Sequence, residues 1–166
     1  MTQYHLCSLL WNYLIVPFQF LNNFEITFTP VQHWSKRGLF DRNKSLWGGW
    51  FFKFEDYSIF HAGDTGYSDD FIETRSRLGS PKYAFIPIGA YEPRSIMKDS
   101  HLNPDEAIQT ALDLNATHAI GMHWGTFMLT DEPVQEPPVL VKNRLKELDL
   151  EGLFTIPIPG KIISLE

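Results

Sequence analysis

The chain has 166 residues, enough for one domain with a substantial hydrophobic core. Its content is 43% hydrophobic and 20% charged, as in an ordinary globular protein, and a formal net charge of −6 argues against a general nucleic-acid binder, which carries a basic face. The single cysteine, Cys7, excludes an intrachain disulfide and suits a reducing, intracellular compartment.

Residues 1–23 form an apolar stretch that is uncharged from Leu6 to Leu21 and broken by Ser8, Asn12, Pro17 and Gln19. A signal peptide starts with basic residues, yet the first Lys or Arg here is Lys36. A spanning helix needs about 20 apolar residues without an internal proline. The stretch therefore reads as a core strand or helix, or as sequence from a larger context, and says nothing about chemistry.

Beyond it the pattern sharpens. Glu25-Ile26-Thr27-Phe28-Thr29 alternates polar and apolar residues and predicts a strand that Pro30 ends. Trp50–Phe54 and Tyr57–Ala62 predict two further strands joined through Glu55-Asp56. A helix is expected from Asp69 to Leu78 with Ser68 as its cap, then a buried strand at Tyr83–Ile86. Asn103-Pro104-Asp105-Glu106 is the clearest helix start: a cap, proline at the first helical position, and a glutamate three residues after the cap. A strand over Thr117–Met122, a helix over Val139–Leu148 and strands at Phe154–Ile156 and Lys161–Leu165 complete the series. Strands interspersed with helices predict a layered α/β (α+β) fold.

Three strand ends carry ligand-type side chains. His33 follows the first strand, His123 follows the Thr117–Met122 strand, and Asp64 sits in Gly63-Asp64-Thr65-Gly66, where glycines let a turn aim a carboxylate outward. Imidazole and carboxylate are the usual ligands of catalytic zinc. A lone histidine is more often structural, and His5, His61 and His118 are read that way. His118 and His123 fall on opposite faces of one strand by the period of two, so they do not share a site.

Longer blocks carry a resemblance. Thr29-Pro30-Val31-Gln32-His33-Trp34-Ser35, Leu46-Trp47-Gly48-Gly49-Trp50, Ala62-Gly63-Asp64-Thr65-Gly66-Tyr67 and Ile86 to Arg94 belong to it. So do Met97-Lys98 with His101, Pro104-Asp105-Glu106-Ala107, and His123-Trp124-Gly125-Thr126-Phe127. Together they resemble the N-acyl-phosphatidylethanolamine-hydrolysing phospholipase D group of the metallo-β-lactamase superfamily, over residues 24–166 and not over residues 1–23. The resemblance implies an αββα sandwich with two zinc ions between its sheets, of which this chain would hold the C-terminal half to two-thirds. It implies His33, Asp64 and His123 as metal ligands, with Asp64 bridging both ions. It also implies His101 as a catalytic histidine at the phosphate or leaving group. Tyr91, Arg94 and Lys98 are candidates for lining the head-group path, with surface salt bridges as the alternative.

One departure is large. The group opens its site with a His-x-His-x-Asp-His motif, and this chain has only His5 before His33. Four expected ligands are therefore missing, so the metal site is partial and the chain is expected to be inactive alone. The expected activity of the complete domain is hydrolysis of N-acyl-phosphatidylethanolamine to an N-acylethanolamine and phosphatidate. The alternatives are a non-catalytic fragment that binds a partner or lipid surface, and another hydrolase of the superfamily such as a lactonase. Phospholipid is the expected substrate, and a peripheral membrane contact and a homodimer remain open.

Overall fold

The computed structural model describes residues 24–165. The apolar stretch 1–23, with His5 and Cys7, lies outside the described residues. Among the described residues six strands form a single sheet in sequence order: β1 (Phe24–Thr29), β2 (Gly49–Phe54), β3 (Ser58–His61), β4 (Tyr83–Pro87), β5 (His118–Met122) and β6 (Phe154–Thr155). β1, β2 and β3 pair antiparallel, and β3 to β6 run parallel. Parallel neighbours need crossovers, and three helices supply them: α1 (Asp70–Leu78), α3 (Pro104–Asp113) and α4 (Glu136–Glu147). A short helix, α2 (Arg94–Met97), precedes α3.

Register decides which side chains meet. Thr27, Phe51, Phe60, Ala84, Ala119 and Phe154 are aligned across all six strands, and every one is buried. Phe71 of α1, Ala107, Ile108 and Ala111 of α3, and Val141 and Leu145 of α4 join the same core. α3 packs on β4 and touches both α1 and α4. Each large side chain closed off this way contributes about 1.5–3 kcal/mol. The adjacent row reads differently. Phe28, Trp50, His61, Phe85, Ile120 and Thr155 point to the other face, where Trp50 stays 41% exposed and only Ile120 is buried.

The start of α3 follows the sequence expectation. Glu106 N–H donates to Asn103 Oδ1 at 2.8 Å, and Asn103 N–H donates to Glu106 Oε2 at 3.0 Å, with Pro104 in the first turn. Ser68 does not cap α1. Asp69 holds the cap position without a side-chain bond, and the Ser68 hydroxyl donates to Asp70 instead. α4 begins ahead of Val139 because Pro137 and Pro138 fit a first turn, where no N–H is needed. The strand expected at Lys161–Leu165 does not form. Lys161, Ile162 and Leu165 are exposed, and the last strand is the two-residue β6. Among the described residues no helix is long and apolar enough to cross a membrane.

Candidate functional site

The site is assembled by loops that leave the sheet edge at Thr29, His61, Pro87 and Met122. Gln32, just before His33, ties three of its segments together. Its N–H donates to the Thr65 hydroxyl at 3.1 Å, its carbonyl accepts from Gly66 N–H at 2.8 Å, and its side-chain amide donates to Asp99 O at 3.1 Å. Gly66 is required there by space: a Cβ would stand 2.7 Å from Lys98 O and 2.8 Å from the Asp99 carbonyl carbon. Gly89 makes a comparable allowance, since its Cβ would lie 2.5 Å from His123 O. The segments converge because two glycines leave room for backbone.

Three histidine rings then meet. His101 lies between His33, at 5.4 Å between ring centres and nearly perpendicular, and His123, at 5.5 Å and roughly parallel. His123 Nε2 is 3.4 Å from Asp64 Oδ1. His123 holds φ 59°, the left-handed region that side chains seldom adopt, directly after β5. His33 Nδ1 is 2.8 Å from Trp34 O, a bond that fixes the ring when Nδ1 carries the proton. His61 instead accepts from Gly63 N–H at 3.1 Å through Nδ1 and steadies the turn that carries Asp64. His118 is bonded to Gly152 O and to the Thr155 hydroxyl, so it is structural.

Burial pushes the His101 imidazole down to about 4, helped by repulsion from His123 and His33 and opposed by Asp64 and Glu132. His101 is therefore neutral near pH 7. Its Nδ1 is buried without a hydrogen-bond partner, and a neutral imidazole of this kind can present a donor or an acceptor to a bound group. Its backbone is anchored by Arg94. That guanidinium donates to His101 O at 2.9 Å and, with both contacts at 2.7 Å, to the two oxygens of Glu106. Glu106 thus serves the α3 cap and Arg94 together.

The head-group candidates Tyr91, Arg94 and Lys98 sit in different surroundings. The Tyr91 side chain is buried and its hydroxyl donates to Glu136 Oε1 at 2.8 Å, with burial and that carboxylate pushing its ionisation upward. Arg94 pairs with Glu106 and donates to His101 O, so it positions the His101 backbone. Lys98 is exposed, and its carbonyl is what packs on Gly66.

Gln32 and Glu132 were not legible as site residues. Glu132 Oε1 accepts from Ala90 N–H at 2.7 Å and Tyr91 N–H at 3.2 Å, and Oε2 accepts from Glu92 N–H at 3.0 Å. Burial raises its pKa, but backbone bonds from Glu92, Glu132 itself and Ala90, with the Thr130 hydroxyl, outweigh that and hold it below the usual carboxylate range. No local pattern marks a glutamate whose partners lie some forty residues back. Beside His123 a cleft of about 290 Å³ opens between Gly89, Ala90, Trp124 and the Phe127–Leu129 segment.

Among the described residues no group of three or more His, Cys, Asp or Glu side chains is arranged to hold a metal ion. His33, Asp64 and His123 are suitable donors, but they fit only part of a metal centre.

The chain's relatives agree with this architecture. Residues 15–124 match the Beta-lactamase superfamily domain, and the chain belongs to that family. The match begins inside the apolar N-terminal stretch. The chain is 46% identical over 121 residues to N-acyl-phosphatidylethanolamine-hydrolyzing phospholipase D 1 of Caenorhabditis elegans, covering 72% of this chain and 33% of that protein. It is 44% identical over 134 residues to the mitochondrial N-acyl-phosphatidylethanolamine-hydrolyzing phospholipase D of Saccharomyces cerevisiae, covering 79% of this chain and 28% of that one. The chain thus spans about a third of the length of these curated relatives. Among solved structures, Igni18, a metallo hydrolase of Ignicoccus hospitalis, superposes with TM-score 0.65 at 24% identity over 86% of this chain and 53% of its own. An isothiocyanate hydrolase from Delia radicum gut bacteria superposes with TM-score 0.68 at 17% identity over 90% of this chain and 57% of its own. These likenesses define the metallo-β-lactamase fold and place the chain in the β-lactamase superfamily.

Proposed function

We propose that this chain is the C-terminal part of a zinc-dependent phosphodiesterase of phospholipase D type, acting on N-acyl-phosphatidylethanolamine. The observation that carries the proposal is the convergence of His33, His101, His123 and Asp64 from separate loops at one sheet edge. His33, Asp64 and His123 are this chain's share of the metal ligands, and a His-x-His-x-Asp-His motif that residues 1–166 do not contain would supply the rest. Bound zinc would supply Lewis acidity toward a phosphoryl oxygen and toward water. His101, neutral and anchored by Arg94, is placed to donate to a phosphate or leaving-group oxygen. Glu132 keeps the Ala90–Glu92 wall of the site in place, and the cleft by His123 offers apolar surface to an acyl chain.

The incomplete donor set favours a specific corollary: the 166-residue chain alone does not turn over. The test is release of N-acylethanolamine from N-acyl-phosphatidylethanolamine by the purified chain, with zinc and again with chelator. The same assay is run on a chain extended upstream by the histidine motif. Chelator-sensitive turnover by the extended chain only is the expected result. Comparable turnover by the short chain overturns the corollary, and an extended chain that binds zinc but leaves the lipid intact overturns the proposed reaction.

A further inference from the structure

The loop that leaves His33 has a construction that the hydrolytic reading does not use. Between Lys36 and Lys44 it carries four cations, Lys36, Arg37, Arg42 and Lys44, and one carboxylate, Asp41, in a chain whose net charge is −6. All four cations are exposed, whereas Asp41 is turned inward and accepts from the N–H groups of Arg37 and Gly38 at 3.2 and 2.7 Å. At the tip stand Leu39 and Phe40, 81% and 88% exposed.

The loop is built to hold that shape. Ser35 and Asn43 bind each other reciprocally, Asn43 N–H to Ser35 O at 2.7 Å and Ser35 N–H to Asn43 Oδ1 at 3.2 Å. The Ser35 hydroxyl donates to Ser45 O, and Lys44 N–H donates to Asp41 O at 3.0 Å. These bonds cinch the base and leave the tip projecting. Arg42 sits 5.3 Å from the centre of the Trp34 ring, and Trp34 stacks on His33 at 5.8 Å with an interplanar angle of 4°. The finger is therefore one ring away from the histidine cluster. A second uncovered apolar tip, Phe127, Met128 and Leu129, lies on the loop that starts at His123.

We propose that the Lys36–Lys44 loop docks on a bilayer with anionic head groups, its cations meeting phosphates and Leu39 and Phe40 entering the interface. An apolar tip flanked by lysine and arginine is the arrangement that combines acyl-chain burial with attraction to a negative leaflet. The local charge is opposite to that of the chain as a whole, so an acidic surface is the complement this loop selects. Docking there brings a lipid head group to the edge of the histidine cluster. The surface rests on the phospholipid reading for its purpose only, and its test measures binding and not turnover.

The full 166-residue chain is floated with vesicles of phosphatidylcholine alone and of phosphatidylcholine with about 30% phosphatidylserine. The expected result is recovery with the anionic vesicles and loss of recovery at high salt. Leu39→Ser/Phe40→Ser is expected to cut recovery roughly tenfold. Lys36→Gln/Lys44→Gln is expected to bring anionic vesicles close to the neutral ones while melting curves stay unchanged, since all four positions are exposed. Failure of the wild-type chain to float overturns the proposal. So does flotation that the Leu39/Phe40 variant leaves intact, or a variant effect confined to self-association. Because no turnover is read, the hydrolase proposal can stand or fall separately.

Discussion

Phe60, Ala84 and Ala119 lie side by side on the helix-covered face of the sheet, whereas a few residues further on the same strands have given way to Asp64, Ala90 and His123. Beneath the helices the contacts are mostly apolar, from Phe60 and Ile86 to Ile108 and Val141, with the threonines Thr74 and Thr110 buried among them. At the rim several segments are held by a side chain that bonds another segment's backbone: Gln32 to Asp99, Glu132 to Ala90, Tyr91 and Glu92, Arg94 to His101. Apolar packing tolerates substitutions of similar volume, but a buried hydrogen-bonding group left without its partner costs its full desolvation. The comparison teaches that this protein's rigidity comes from volume in one region and from directed polar bonds in the other.

The largest expected effect tests the packed region. Phe60→Ala removes a fully buried ring and is expected to cost about 3–5 kcal/mol, whereas Phe85→Ala on the half-covered face is expected to cost about 1 kcal/mol. Urea unfolding of both variants measures the gap, and equal losses would mean that both faces of the sheet are packed alike. Next comes the close approach at the rim. Gly66→Ala forces a methyl against Lys98 O and Asp99, with an expected cost of about 2–3 kcal/mol, and thermal melts should register it.

Glu132→Gln should cost about 2 kcal/mol, because three backbone donors lose an anionic acceptor. Its pH dependence sharpens the point. The folded carboxyl is held below its ordinary value of 4.5, so the stabilisation is full above that value and fades as pH falls through the depressed folded pKa. Melting temperature followed from neutral to acidic pH should therefore slope down less in the Gln variant than in the wild type. A parallel slope would assign acid sensitivity to other carboxylates. The smallest effect is expected at Arg94, which with Glu106 is partly open to solvent. Arg94→Ala should cost about 1 kcal/mol of stability. In an active, complete domain it should nevertheless lower turnover with zinc content unchanged, which metal analysis beside kinetics would check. Loss of zinc would make Arg94 a support of the ligands and not of His101.

Elements with local signals were legible in the chain itself. Alternation in Glu25–Thr29 set β1, and the Asn103-Pro104-Glu106 spacing set the start of α3, because both signals depend on neighbours within one turn or one strand. His33, Asp64 and His123 stand out in the sequence as short polar interruptions at strand ends, and the fold brings them to one rim, while His61 and His118 bond to neighbouring backbone. The Lys161–Leu165 strand failed because alternation is only a proposal for pairing, and a strand exists only where an edge accepts it. What only tertiary structure decided is who holds whom. Tyr91 and Arg94, candidates for the head-group path by sequence, bond to Glu136 and to His101 and Glu106, and nothing local marks the partners of Gln32 and Glu132. These bonds join residues far apart in the chain, and a sequence pattern reports what a residue does to its neighbours, while hydrogen-bond partners across loops are selected by the fold that brings them within 3 Å of each other.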